Sequence, residues 1–187
     1  MSYIAQLSNH FLIAMPTLAD PNFDHTVTYI CEHNPQGALG IVINRPTELT
    51  LSDLAEQLDI ELGEPELADT PIYQGGPVQL ERGFVLHSPL GEWDSTLEVT
   101  TDIGLTMSPD IIDAIANGVG PQHFLIALGY AGWGEGQLED ELAANSWLSG
   151  PADSRIIFEY PVDKRWNAAA ASLGVDITTL STDVGHA

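Results

Sequence analysis

Cys31 and His33 stand two residues apart in Tyr29-Ile-Cys-Glu-His-Asn34, and these are the residue types from which a thiolate nucleophile and its base are built. On a strand, residues two apart point the same way at roughly 6.5 Å of rise. An imidazolium nearby lowers a thiol pKa and makes a nucleophile or a redox sensor. A sensor of this kind predicts a Cys31 thiol well more acidic than an ordinary cysteine. Asn34 is the one residue available to orient such a pair and no oxyanion donor can be assigned, so cysteine hydrolase chemistry finds little support. Against both, a free cysteine usually acts as a small buried hydrophobe, and on the residues alone that reading is favoured. Arg45 follows the apolar Ile41 to Ile43 run in a chain nearly devoid of cations. It is expected to clamp a carboxylate such as Glu32, or loop carbonyls, with bidentate anion binding as the sharper alternative.

The second chemical stretch is Gly129-Tyr-Ala-Gly-Trp-Gly-Glu-Gly136, read as a glycine loop between a strand and a helix. Backbone amides there can cradle an anion. The loop lacks the Lys and Ser/Thr of a P-loop, however, and Glu135 already puts negative charge where a phosphate would sit. A tight turn that lets the backbone pack closely is the favoured reading. Trp133 either anchors the core or offers a flat contact surface with Tyr130, and with Gln137 and Glu139 these make a candidate partner or ligand surface. The six histidines, His10, His25, His33, His87, His123 and His186, show no metal-ligand spacing, and a lone thiol cannot build a structural zinc site. Neither a metal nor a cofactor is expected.

The elements that must position these residues can be read along the chain. Phe11 to Met15 predicts a short strand ended by Pro16, and Asp20 to Asp24 a loop. Val27 to His33 and Ala38 to Asn44 predict a hairpin turned by Pro35 and Gly37. Its two faces are both apolar near the middle, which places the strands centrally in a sheet. Thr50 and Asp53 form a capping box for a helix bearing Leu51, Leu54, Ala55 and Leu58. The acidic stretch 59–69 has no periodicity and is expected to be a mobile loop. Strands follow at Ile72 to Pro77, Arg82 to His87, Thr96 to Val99 and Ile103 to Thr106. A helix capped by Ser108 and opened by Pro109 ends at Asn117-Gly118. After the strand His123 to Leu128 and the glycine loop come a helix from Gln137 to Asn145, short strands at Trp147-Leu148 and Arg155 to Phe158, and a last helix from Pro161 to Gly174.

Composition bounds the function. A chain of 187 residues with 44% hydrophobic content suits one domain, spanning 1–187, and one cysteine rules out an internal disulfide, so a cytosolic home is the default. There is no basic start of a signal peptide and no apolar run long enough for a bilayer. Five Lys and Arg against 27 Asp and Glu leave a net charge of −22, with no cation between Arg45 and Arg82 or between Arg82 and Arg155. Such a surface repels a phosphate backbone, so direct nucleic-acid binding is not expected.

Several stretches together carry a family resemblance: Phe11-Leu-Ile-Ala-Met-Pro16, Tyr29 to Asn34, Gly37-Ala-Leu-Gly-Ile-Val-Ile-Asn-Arg-Pro46, Gly75-Gly-Pro-Val78, Gly83-Phe-Val-Leu-His-Ser88, Gly129 to Glu139, Asn145-Ser-Trp-Leu148 and Trp166 to Asp176. They closely resemble the bacterial AlgH/YqgE family almost end to end. The resemblance implies a single α+β domain whose mostly antiparallel, bifurcated sheet folds into a pseudo-barrel flanked by helices. It implies little chemistry. The family is largely uncharacterised, and its name, taken from a proposed role in regulating alginate synthesis, is often transferred as transcriptional regulator. With the charge against DNA contact, the expectation is a non-enzymatic regulatory or interaction module acting through an unknown protein partner and tuned at Cys31. The alternative is a small-ligand binder or enzyme using the hairpin end.

Overall fold

A computed structural model describes residues 6–177 and residue 179; His186 lies outside them. In chain order the elements are β1 (His10–Ala14), β2 (Val27–Asn34), β3 (Gly37–Val42), β4 (Pro46–Thr50), α1 (Leu51–Gln57), β5 (Pro71–Gln74), β6 (Val78–Ser88), β7 (Thr96–Glu98), β8 (Gly104–Thr106), α2 (Asp110–Ala116), β9 (His123–Trp133), α3 (Gln137–Ala143), β10 (Trp147–Pro151), α4 (Ser154–Phe158) and α5 (Arg165–Ala171). The fold is α+β, and every strand pairing but one is antiparallel among the described residues. No helix among them is long and apolar enough to cross a membrane.

The chain parts into two compact units, one from the residues up to Asn44 and from Ala131 onward, the other from Arg45 to Tyr130. In the first, the strands run β10, β1, β2, β3 and then the end of β9, where Ala38 faces Trp133. Central placement of the hairpin follows from its sequence. Val27 to Cys31 are all buried, so both faces of β2 are covered. At the turn Asn34 accepts the Gln36 N–H on its side chain, and Gly37 takes φ +145° where a Cβ would lie 2.2 Å from the Trp133 carbonyl oxygen. Only glycine fits there. The core of this unit gathers Leu12, Ala14, Ile30, Trp133, Leu138 and Trp147.

In the second unit β9 pairs with β6, then β8 and β7, while β5 joins β9 in parallel through Tyr73 and Ala127 and carries β4 on its far side. The fork at β9 is the bifurcation expected of the sheet. Helices α1 and α2 close over Ile72, Val85 and Ile126 with Leu51, Ile111, Ile112 and Ile115. The capping box forms as read: Thr50 Oγ1 accepts the Asp53 N–H and the Asp53 carboxylate accepts the Thr50 N–H.

Five local expectations need correcting. Pro46–Thr50 is a strand, pairing with β5, although its proline and polar residues hide it; proline is tolerated because it stands first in the strand. Stretch 59–69 is anchored rather than mobile. Ile60, Leu62 and Leu67 pack on the α1/α2 core, Pro65–Leu67 forms a 3-10 turn, and the N–H groups of Gly63 and Glu64 both reach the Ala116 carbonyl. Ser108 does not cap α2 through the backbone; its hydroxyl donates to Asp110 and accepts the Ser95 N–H. Ser154–Phe158 is a helical turn rather than a strand, because Asp153 accepts the Arg155 N–H at its start. The first half of the glycine loop, Gly129 to Trp133, is strand. Gly129 turns through φ +79° with the Gly76 carbonyl too close for any Cβ, and Gly132 then faces Leu39 in the ladder.

Candidate functional site

Most of the residues singled out for chemistry meet in the first unit, on β2, α3 and the end of β9. The strand pairing slips between Ile30 and Glu32, so Cys31 sits on a β-bulge, and Cys31 and His33 are both buried on either side of exposed Glu32. Cys31 is 3% exposed, its Sγ lies 3.7 Å from the Tyr29 carbonyl oxygen, and burial, with the Glu32 charge as the smaller cause, pushes its thiol pKa up. The acidic, accessible thiol expected of a sensor is therefore absent. Cys31 is the small buried hydrophobe of the bland reading.

His33 is not the base for that thiol, because both ring nitrogens are engaged elsewhere. Nδ1 accepts the Leu7 backbone N–H at 3.0 Å, which requires Nδ1 to carry no proton, and Nε2–H therefore donates to Glu139 Oε1 at 2.5 Å. The ring is 2% exposed. With no free lone pair it cannot act as base, nucleophile or metal ligand. It works as a three-way tie between the segment before β1, strand β2 and helix α3. Beside it a recess of about 180 Å³ is lined by Gln6, His33, Asn34 and Pro35. That is smaller than the ~300–1,000 Å³ typical of small-molecule sites. Asn34 itself is exposed and spends its side chain on the turn.

The same helix makes a second tie. Glu141 Oε1 accepts the indole N–H groups of Trp133 and Trp147 at 3.0 and 2.9 Å, and its Oε2 accepts from Gln137 Nε2 at 3.0 Å. Gln137 Oε1 in turn accepts the Gly134 N–H, so this part of the glycine loop is satisfied internally rather than open to an anion. Trp133 is 5% exposed and packs against Phe23 and Trp147 at ring distances of 6.1 and 6.2 Å. It anchors the core and offers no contact surface. Among the residues proposed for that surface, Gln137 is exposed and Glu139 half-buried, but both are committed to the ties just described. Tyr130 belongs to the second unit, where its ring meets Phe84 edge-on at 5.5 Å. Arg45 also belongs to that unit, its carbonyl accepting the Gln74 N–H.

Two functional-looking residues escape a sequence reading. Arg165, 6% exposed, directs its guanidinium to the carbonyls of Tyr160 and Ile43 and clamps them. Its place inside an apolar helix face is the only sequence cue. His87, fully buried in the second unit, donates from Nδ1 to the Pro89 carbonyl and accepts from Thr106 Oγ1 at 2.6 Å, which is itself 2.8 Å from Thr96 Oγ1. Burial lowers its pKa, the Pro89 carbonyl opposing this in part, so the ring is held neutral. No group of three or more His, Cys, Asp or Glu able to hold a metal occurs among the described residues.

A family model described as AlgH-like matches residues 11–178. The chain belongs to the AlgH-like family. A UPF0301 protein of Thioalkalivibrio sulfidiphilus is 57% identical over the whole of both chains, and one of Nitrosospira multiformis 58% identical over 97% of each. The solution structure of the AlgH protein from Pseudomonas aeruginosa superposes with a TM-score of 0.81 at 51% identity, covering 100% of this chain and 99% of that one. A crystal structure of a Corynebacterium diphtheriae protein shares the fold at a TM-score of 0.75 and 15% identity, over 97% and 94% of the two chains. The AlgH-like fold is thus held here by ties between its own polar groups at the very positions that looked chemical.

Proposed function

We propose that this AlgH-like chain is a cytosolic, non-enzymatic module that acts through a protein partner. The observation that carries the reading is the commitment of its candidate catalytic groups to internal partners: Cys31 buried, both nitrogens of His33 occupied, and Glu139 and Glu141 each holding another side chain. A catalytic site needs at least one base or nucleophile facing a cavity that can receive substrate, and the hairpin-end recess provides neither. The regulatory label is read as action through protein contact, since a net charge of −22 opposes contact with DNA. Cross-linking in the native cell followed by affinity purification tests the module: one or a few partners are expected in near-stoichiometric amount. A chain that is recovered alone, and that turns over a substrate in a hydrolase and transferase screen with loss of turnover in His33→Ala, would replace this reading. Gel-shift binding that persists at ~0.15 M salt would restore direct DNA contact.

A further inference from the structure

Residues Gln6, Leu7 and Ser8, ahead of β1, are strapped across the end of β2 by His33. The Leu7 N–H donates to His33 Nδ1 at 3.0 Å, the His33 N–H donates to Ser8 Oγ at 3.2 Å, and Gln6 Nε2 donates to the His33 carbonyl at 3.3 Å. The Leu7 side chain, 9% exposed, lies in the core cluster with Ile30, Trp133 and Leu138. A backbone amide can only donate, so Nδ1 is bare and the ring neutral for as long as Leu7 is docked. Across the ring, Nε2–H donates to Glu139 Oε1. These two bonds answer oppositely to a proton. An imidazolium still donates to Glu139, now with charge assistance, but its Nδ1–H meets the Leu7 N–H donor to donor. Among the described residues Glu139 is the charged group that the ring contacts. Glu32 beside it on β2 is exposed, and Cys31 keeps its proton because burial pushes its pKa up. Neither Gln6–Ser8 nor Ala38, which faces His33 from β3, brings a titratable side chain. His10 Nδ1 lies 3.0 Å from the Ser8 carbonyl, which only accepts, so that bond survives whether or not the His10 ring gains a second proton.

We propose that His33 is a proton-operated latch on the segment Gln6–Ser8: uptake of a proton at Nδ1 releases the Leu7 N–H and lifts the segment from β2, while Nε2 keeps its hold on Glu139. The lone pair that takes the proton is the one Leu7 occupies, and at 2% exposure the ring reaches water only as the segment leaves. Proton uptake and release are therefore one linked event. The imidazolium is not stranded as an uncompensated buried charge, because Glu139 stands 2.5 Å from it and the departing segment opens it to water. Histidine is the side chain whose ordinary titration falls in the physiological range, so the latch answers to mild acidification. Departure of Leu7 bares apolar surface of the cluster that it fills, and the molecule presents a different face below neutral pH than above it. The latch stands independently of the interaction-module reading.

Nitrogen-15 NMR of the full chain reads both halves of the event. The His33 ring nitrogens report the tautomer, and hydrogen exchange reports the protection factor of the Leu7 amide. The Ile43 N–H, bonded to the Val27 carbonyl in the same unit, is the reference. Linkage multiplies the open fraction by up to ~10 for each pH unit, so from pH 7.5 to pH 5.5 the Leu7 protection factor should fall about tenfold or more, in step with proton gain at Nδ1, while Ile43 holds. His33→Gln offers Leu7 a carbonyl oxygen that takes no proton, and the fall should vanish. Glu139→Gln still accepts from Nε2 but no longer favours the imidazolium, and should move the fall about one pH unit lower. Nδ1 without a proton at pH 5.5, a proton gained with Leu7 protection unchanged, or an equal fall in His33→Gln overturns the latch. So does a parallel loss at Ile43, because the unit then opens as a whole. Should His33→Gln fail to fold, Glu139→Gln decides alone, and a fall at the same pH as in wild type overturns the latch.

Discussion

Replacing Glu141 by alanine removes the acceptor of two indole N–H groups at once. Trp133 and Trp147 are 5% and 4% exposed, so neither indole can turn to bulk water without opening the core around Leu12, Ile30 and Leu138. A buried donor left without its partner costs ~1–3 kcal/mol, so the pair costs about 2–6 kcal/mol. Gln137, which donates to the other oxygen, is exposed and re-solvates, adding nothing. Glu141→Gln keeps one carbonyl oxygen with two lone pairs for both indoles and loses only the charge assistance, about 1–2 kcal/mol. Urea unfolding followed by far-ultraviolet circular dichroism gives these differences directly, and in a chain of this size each kcal/mol lowers Tm by ~2–4 °C. The alanine variant should also lose near-ultraviolet tryptophan structure that the glutamine variant retains. If Glu141→Ala lies within ~0.5 kcal/mol of wild type, or if the two variants cost the same, the double acceptance by Glu141 does not hold this unit together.

Other positions give further expected outcomes. Thr28 is fully buried and its Oγ1 has no hydrogen-bond partner among the described residues, so Thr28→Val, which keeps the shape, should stabilise the chain by about 1 kcal/mol in the same urea titration; a loss of stability contradicts this. Cys31 should be inert to Ellman's reagent in the native protein and react stoichiometrically in denaturant, while rapid native reaction would bring the sensor back. His87 binds its proton less tightly folded than unfolded. Its contribution is therefore complete above the unfolded pKa of about 6.5 and is lost as pH falls below that value, at no more than ~1.4 kcal/mol per pH unit. The stability difference between wild type and His87→Gln should accordingly narrow from pH 7.5 to pH 5.5, and a pH-independent difference is the result that refutes it.

The hairpin, the capping box, most strands and α2 were readable because each writes its own local pattern: alternating or continuous apolar runs, a Thr/Asp spacing, an Asn-Gly stop. What escaped has no local pattern. The bulge at Cys31 is set by pairing with β3, and no residue type in the stretch announces it. The fates of His33 and Glu141 depend on partners brought by tertiary contact, Leu7 and Glu139 for one and two distant tryptophans for the other. Nothing in one dimension says that the Arg165 guanidinium is buried, 6% exposed, against two carbonyls. Stretch 59–69 read as mobile because its acids outnumber its apolar residues, but three well-placed side chains were enough to fasten it.

The passage of β9 through both units puts an order on synthesis. Arg45–Tyr130 is continuous and holds all its strands once Tyr130 has left the ribosome, whereas β3 waits for Ala131 to Trp133 and β1 for Trp147–Pro151. Between Asn34 and Trp133 lie about a hundred residues, or roughly 5–20 s of elongation at ~5–20 residues per second. During that interval the hairpin presents open backbone edges and an apolar face. The N-terminal strands are therefore the part of the nascent chain that a holding chaperone has reason to grip, and a premature stop just before Trp147 leaves the outer edge of β1 permanently unpaired.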